Sequence, residues 1–240
     1  MKNSFSLLLL PGFDGTGELF QPLQAALDKT IATRVCRYTT EESFDDYVEA
    51  AAAMLPLGNA VLVAESFSGP VALALMARYP ARIACAVLCA TFAISPFRSL
   101  TRVANILPTS LFHPTSLQRH VIKRLCLNGE GDGILMEQVV AANRSLRAST
   151  IQRRLQVLAS IDMRPLLSQI GTPILYLQAM RDRIVSARVS RELTGLLPRV
   201  MVRQIDGPHL LLQSRSAECA AAISDFIVQV DADLESAAQR

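Results

Sequence analysis

Six short apolar runs punctuate the chain, at residues 5–10, 33–38, 60–64, 83–90, 174–179 and 200–205. Each has strand length, and several are continuously apolar, the pattern of strands covered on both faces. Between them run stripes spaced by three and four: Leu19, Leu23, Leu27; then Phe44, Tyr47, Val48, Ala51, Leu55; and near the end Ile223, Phe226, Ile227, Val230. Such spacing puts each set on one helix face. Strand and helix in alternation imply right-handed crossovers and a mostly parallel sheet of about six strands flanked by helices, an α/β fold.

Residues 97–164 interrupt the alternation. They contain no strand pattern but carry the stripes Leu117, Val121, Leu125, then Leu135, Val139, Ala142, Leu146, then Ile151, Leu155, Leu158. A structureless loop of this length is improbable in a compact domain, so a helical lobe inserted after the fourth strand is expected. The division is then 1–96 and 165–240 for the α/β core and 97–164 for the insertion.

Composition narrows the class. The chain has 240 residues, 50% hydrophobic and 19% charged, enough apolar content for a large core. Mean hydropathy is +0.29, yet no run approaches the ~20 apolar residues a bilayer requires. Met1-Lys2 ahead of the first run imitates a signal peptide, but that run is short and no small-residue cleavage site follows it. Five widely spaced cysteines (Cys36, Cys85, Cys89, Cys126, Cys219) form no C-x-x-C pair, which favours buried thiols and a cytoplasmic protein. A net charge of +3 excludes an electrostatic nucleic-acid binder, and no His/Asp cluster has metal-ligand spacing, so no metal or cofactor is expected.

The segment Val61-Leu62-Val63-Ala64-Glu65-Ser66-Phe67-Ser68-Gly69 carries the strongest chemical signal. A buried strand ends where a helical pattern begins, and Ala64, Ser68 and Gly69 are small enough for a sharp turn at Ser66. This is a nucleophile elbow, which lifts a serine hydroxyl clear of the sheet. The alternative is a helix N-cap, a role open to Ser66 or Ser68 in any such turn.

At this point the chain resembles the α/β-hydrolase superfamily. The family's elbow reads G-x-S-x-G, and this one reads A-x-S-x-S-G. The segments Pro11-Gly12-Phe13-Asp14-Gly15-Thr16-Gly17 and Ile205-Asp206-Gly207-Pro208-His209-Leu210-Leu211-Leu212-Gln213 are similar to those of small bacterial esterase- and thioesterase-like members. The resemblance spans nearly the whole chain and begins at the family's third strand. It implies an α/β-hydrolase fold in which the 97–164 insertion is a helical cap. It also implies a triad in the order Ser66, Asp182, His209, with backbone N–H groups of Phe13 and Phe67 as the oxyanion hole. His113 and His120 fall in the lobe and read as surface residues. Asp206 is a rival acid, but it stands only three residues from His209. The glycine-rich stretch after the first strand lacks the Lys-Ser/Thr of a phosphate loop and does not match G-x-G-x-x-G.

The resemblance therefore implies hydrolysis of a carboxylic ester or thioester through an acyl-serine. Acyl transfer to an alcohol, or a non-catalytic small-molecule receptor on the same fold, are the alternatives, and a haloperoxidase-like side activity stays open. The lobe holds ten basic and four acidic residues, against fourteen and seventeen elsewhere. Its charge is read either as ordinary solvated helix faces or as steering of an anionic acyl carrier or acyl-CoA. Leu107, Leu111 and Phe112 are the expected substrate contacts.

Overall fold

The computed structural model describes residues 5–96, 116–130 and 133–238. All six expected strands form: Ser6–Leu10 (β1), Ala32–Val35 (β2), Ala60–Glu65 (β3), Ile83–Cys89 (β4), Ile174–Ala179 (β5) and Val200–Ile205 (β6). They make one parallel sheet in the order β2-β1-β3-β4-β5-β6. The apolar runs without polar alternation, β3 and β5, are buried at every position, whereas β2 and β6 lie at the edges. Arg203 and Gln204 are exposed on β6, and polar side chains of this kind discourage edge-to-edge pairing. β2 is shorter than its apolar run because the chain leaves the strand to bond the loop after β1, with Tyr38 N donating to Gly15 O at 2.8 Å.

Alternate strand residues feed two cores. Leu8, Leu10, Leu62, Ala64, Leu88 and Tyr176 point to one face, and Leu7, Leu9, Val61, Val63, Val87 and Leu177 to the other. Helices Gln21–Ala26 (α1), Phe44–Ala53 (α2) and Gly69–Arg78 (α3) follow β1, β2 and β3. α2 starts at a reciprocal capping box, Ser43 with Asp46, that satisfies two orphan N–H groups of its first turn.

Between β4 and β5 the described chain is helical. Ser116–Val121 (α4) runs into a π-helical turn, Ile122–Cys126, followed by Gly133–Arg144 (α5), Ala148–Ser160 (α6) and Arg164–Leu167 (α7). Two of the expected stripes are corrected here. Val121 and Leu125 are exposed while Ile122 and Leu127 are buried, because the wider turn rotates the helix face. In α6 the buried positions are Ile151, Arg154 and Val157, with Leu155 and Leu158 only half-buried, so an arginine lies on the inward stripe. Leu146 lies beyond the end of α5 and is half-buried. Leu127, Leu135, Met136 and Val139 pack with Leu19 in a third apolar cluster. The segment rejoins the sheet through a bridge between Ile94 and Asp162 and a bond from Met163 N to Ala93 O.

Ala187–Leu196 (α8), Leu211–Ser214 (α9) and Ser216–Ala238 (α10) complete the chain. α8 has no counterpart in the expected stripes, because it buries only Ser190 and Leu193. Among the described residues no helix is long and apolar enough to cross a membrane. All five cysteines are unpaired thiols.

Candidate active site

The turn leaving β3 is built around Ser66. Its φ of +45° lies in the left-handed region, which a non-glycine residue occupies only when its surroundings enforce it. The enforcement is visible. Thr91 Oγ1 donates to Ser66 O at 2.5 Å, and a Cβ at Gly69 would collide with that same threonine. Helix α3 can begin against Thr91 only because position 69 has no side chain. Of residues 61–70, Ser66 alone is not buried.

The exits of β5 and β6 are joined by bonds from Met180 N to Ile205 O and from Arg181 N to Gly207 O, both 3.0 Å. This lacing sets the loops bearing Asp182 and His209 side by side. Asp182 Oδ2 is 2.8 Å from His209 Nδ1, and His209 Nε2 is 3.0 Å from Ser66 Oγ. The other carboxylate oxygen of Asp182 accepts from Ile184 N and Val185 N at 2.7 and 2.8 Å. Asp182 and His209 are both buried, with side chains 2% and 6% exposed, so their contact is little weakened by water. Asp206, the rival acid, points outward to Arg181.

The loop after β1 faces the elbow. Ser68 Oγ donates to Pro11 O and accepts from Tyr38 Oη at 2.9 Å. The rings of Phe13 and Phe67 meet edge to face with centroids 6.1 Å apart. Thus the two residues expected to form the oxyanion hole are neighbours. Asp14 is buried and accepts from Thr16 N and Thr16 Oγ1, closing the far side of the loop.

A third buried carboxyl, Glu65, adjoins this site. Gln213 Nε2 donates to its Oε2 at 3.1 Å, while Glu65 Oε1 and Gln213 Oε1 have no partner. Burial and then the nearby Asp14 carboxylate push its pKa up to about 7, against the opposing influence of His209 and Gln213. Sequence reasoning passed over it, although an acidic residue ending a wholly apolar strand was the available signal.

Other expected positions fall elsewhere. Leu107, Leu111, Phe112 and His113 lie outside the described residues, and His120 is on the exposed side of α4. A cavity of about 650 Å³ opens between the β1 loop and α6, lined in part by Gly15, Thr16, Arg37, Tyr38, Arg147 and Arg153. Several basic residues of the lobe are already engaged. Arg119 pairs with Glu137, Arg153 with Glu42 and Arg164 with Asp162, and Arg154 is buried against backbone carbonyls. Among the described residues no group of three His, Cys, Asp or Glu side chains is arranged to hold a metal ion.

The fold and this arrangement agree with sequence comparison: residues 7–222 match the Alpha/beta hydrolase family, and the chain belongs to it. No curated protein matches the chain in sequence. Among solved structures it is similar to an enol-lactonase from Burkholderia xenovorans LB400 (TM-score 0.83, 15% identity, 94% of this chain and 92% of the other). It is also similar to a thermophilic esterase from Thermogutta terrifontis (TM-score 0.79, 19% identity, 95% and 90%). An esterase from Exiguobacterium antarcticum is a third such structure (TM-score 0.80, 11% identity, 95% and 93%). At these identities the likeness establishes the fold.

Proposed function

We propose that this hydrolase-family chain cleaves carboxylic esters or thioesters through an acyl-Ser66 intermediate. The unbroken relay Asp182–His209–Ser66, with contacts of 2.8 and 3.0 Å, carries the reading. His209 takes the Ser66 proton as the hydroxyl attacks the substrate carbonyl, and Asp182 holds the ring and offsets the imidazolium charge. The tetrahedral oxyanion accepts from the N–H groups of Phe13 and Phe67. As the intermediate collapses, His209 returns the proton to the leaving alcohol or thiol. Water then repeats the sequence against the acyl-enzyme.

In this reading residues 97–164 act as a cap on the core formed by 1–96 and 165–240, supported by the cluster of Leu127, Leu135, Met136 and Val139 over Leu19. A cytoplasmic location is supported by the five unpaired thiols. Thioesters borne on coenzyme A or an acyl carrier form a second substrate class, for which Arg37 and Arg147 on the cavity beside the β1 loop speak, while Glu18, Glu41 and Glu42 share that lining and Arg153 is paired with Glu42.

The decisive experiment combines p-nitrophenyl esters and acyl-CoA thioesters of graded length with fluorophosphonate labelling. The expected result is turnover and labelling that both vanish in Ser66→Ala. Unchanged turnover in that variant overturns the reading, and a wild type that neither turns over any ester or thioester nor is labelled at Ser66 favours the receptor alternative. An added alcohol in the same assay separates hydrolysis from acyl transfer.

A further inference from the structure

Arg154 is the largest fully buried side chain among the described residues, and it projects from α6 rather than from the sheet. Its Nη1 donates to Phe13 O at 2.6 Å, its Nη2 to Tyr38 O at 3.2 Å and its Nε to Tyr47 Oη at 3.4 Å. These three acceptors are neutral oxygens. Burying a guanidinium on neutral acceptors is expensive, and an apolar residue of similar volume would hold α6 in place more cheaply. The arrangement therefore points to something other than stability.

The guanidinium lies on the loop that carries Phe13. Gly15, at φ +67°, makes this approach feasible: a Cβ there would stand 2.6 Å from Nη1 and 2.7 Å from Cζ. Two consecutive peptide groups are pinned as a result. Gly15 N donates to Gly12 O at 3.1 Å, which fixes the Gly12–Phe13 peptide whose N–H belongs to Phe13. Arg154 fixes the carbonyl of the next peptide. With one plane held on each side of its Cα, Phe13 has little freedom to swing its N–H.

We propose that Arg154 is a positioning residue for the oxyanion hole, holding Phe13 from α6 so that its N–H stays aimed at the developing oxyanion. This rests on the reading that Ser66 is an acylated nucleophile with Phe13 N–H as a donor. A donor displaced by an ångström loses most of its effect on the transition state while substrate binding is little altered.

The test compares wild type, Arg154→Met, Arg154→Lys and the packing control Val157→Ala in the full chain. kcat and KM are measured on a p-nitrophenyl ester, inhibition with a boronic acid that forms a tetrahedral serine adduct, and Tm on every variant. Arg154→Met is expected to lower kcat and boronic-acid affinity together by on the order of 10²-fold, with KM within about threefold. Arg154→Lys, which keeps the charge and can reach Phe13 O but not both carbonyls, should recover part of the loss. Val157→Ala should lower Tm without moving kcat or inhibitor affinity below the melting range. Arg154 variants that keep wild-type kcat and inhibitor affinity, or that raise KM alone, overturn the proposal. If Arg154→Met does not fold, Arg154→Lys decides by the same pair of readouts, a joint loss of about tenfold supporting the role and unchanged values overturning it. A wild type that fluorophosphonate does not label at Ser66 overturns the underlying reading and this role with it. An active, labelled wild type with indifferent Arg154 variants overturns the role of Arg154 alone.

Discussion

The Ser68 hydroxyl donates to the carbonyl of Pro11, 57 positions earlier in the chain, and so ties the nucleophile turn to the loop after β1. Because that proton is committed, the 2.9 Å contact between Ser68 and Tyr38 must be donated by the tyrosine. The serine stands where the family's elbow has a second glycine, and its hydroxyl supplies a buried link that glycine lacks. Ser68→Ala leaves the Pro11 carbonyl and the Tyr38 hydroxyl without this partner, at about 2 kcal/mol by ordinary values for unsatisfied buried groups. The expected outcome is a fall in Tm of several degrees together with lower kcat. Tyr38→Phe keeps the Ser68–Pro11 bond and should spare kcat. Equal kcat losses in the two variants would show that the tie to Pro11 has no part in activity.

Asp182 gives the sharpest test of the relay. Its two oxygens have separate duties, one accepting from His209 and the other from the N–H groups of Ile184 and Val185. Asp182→Asn preserves shape but favours the wrong imidazole tautomer, so kcat should fall on the order of 10⁴-fold. Combining it with Ser66→Ala should cost little beyond Ser66→Ala alone, since the residues act as a unit. Asp206→Asn, which removes only an outward partner of Arg181, should leave kcat within about twofold. Steady-state kinetics on one p-nitrophenyl ester checks all three variants. Multiplicative losses in the double variant would argue against the relay.

Much of the fold was legible because strands covered on both faces cannot hide. Runs such as Val61-Leu62-Val63-Ala64 find their place in the buried middle of a sheet. Ser66, Asp182 and His209 each follow the carboxyl end of an apolar run, where an α/β sheet presents its loops, and the resemblance to the α/β-hydrolases singled them out there. Contacts made by residues that look ordinary in sequence were not. Arg154 follows Ile151 by three and precedes Leu158 by four, so it lies on the inward stripe, but an arginine there reads as a surface break until its carbonyl acceptors are seen. Val121 and Leu125 misled for the converse reason, since periodicity cannot foresee a π-turn.

Gly69 is expected to be intolerant of any side chain. A methyl group there meets Thr91, whose own hydroxyl holds the strained Ser66 carbonyl, so the two residues cannot separate without releasing the turn. Gly69→Ala should therefore destabilise by about 3 kcal/mol or more, in the range of overpacked cores, despite alanine's better helix propensity. Chemical denaturation and labelling at Ser66 check it together. A variant as stable and as readily labelled as wild type would mean that α3 can shift to make room.

Glu65 makes stability depend on pH in an unusual direction for a carboxylate. Its pKa is raised in the folded protein to about 7 from an ordinary 4.5, so between these values the folded state holds a proton that the unfolded chain has released. The favourable contribution is complete below pH 4.5, declines as pH rises and is gone above pH 7. Over that interval ionisation removes about 3 kcal/mol. Glu65→Gln keeps the shape and offers a permanent donor where only the protonated acid has one. Relative to the variant, wild type should thus lose stability as the solution becomes less acidic. The difference in Tm between Glu65→Gln and wild type should be small at pH 4 and grow to roughly 6–10 °C in favour of the variant by pH 8. Groups common to both proteins cancel in that difference, which isolates residue 65. Thermal melts of the pair across this range check it, and a difference that does not change with pH would show that Glu65 ionises normally in the folded protein.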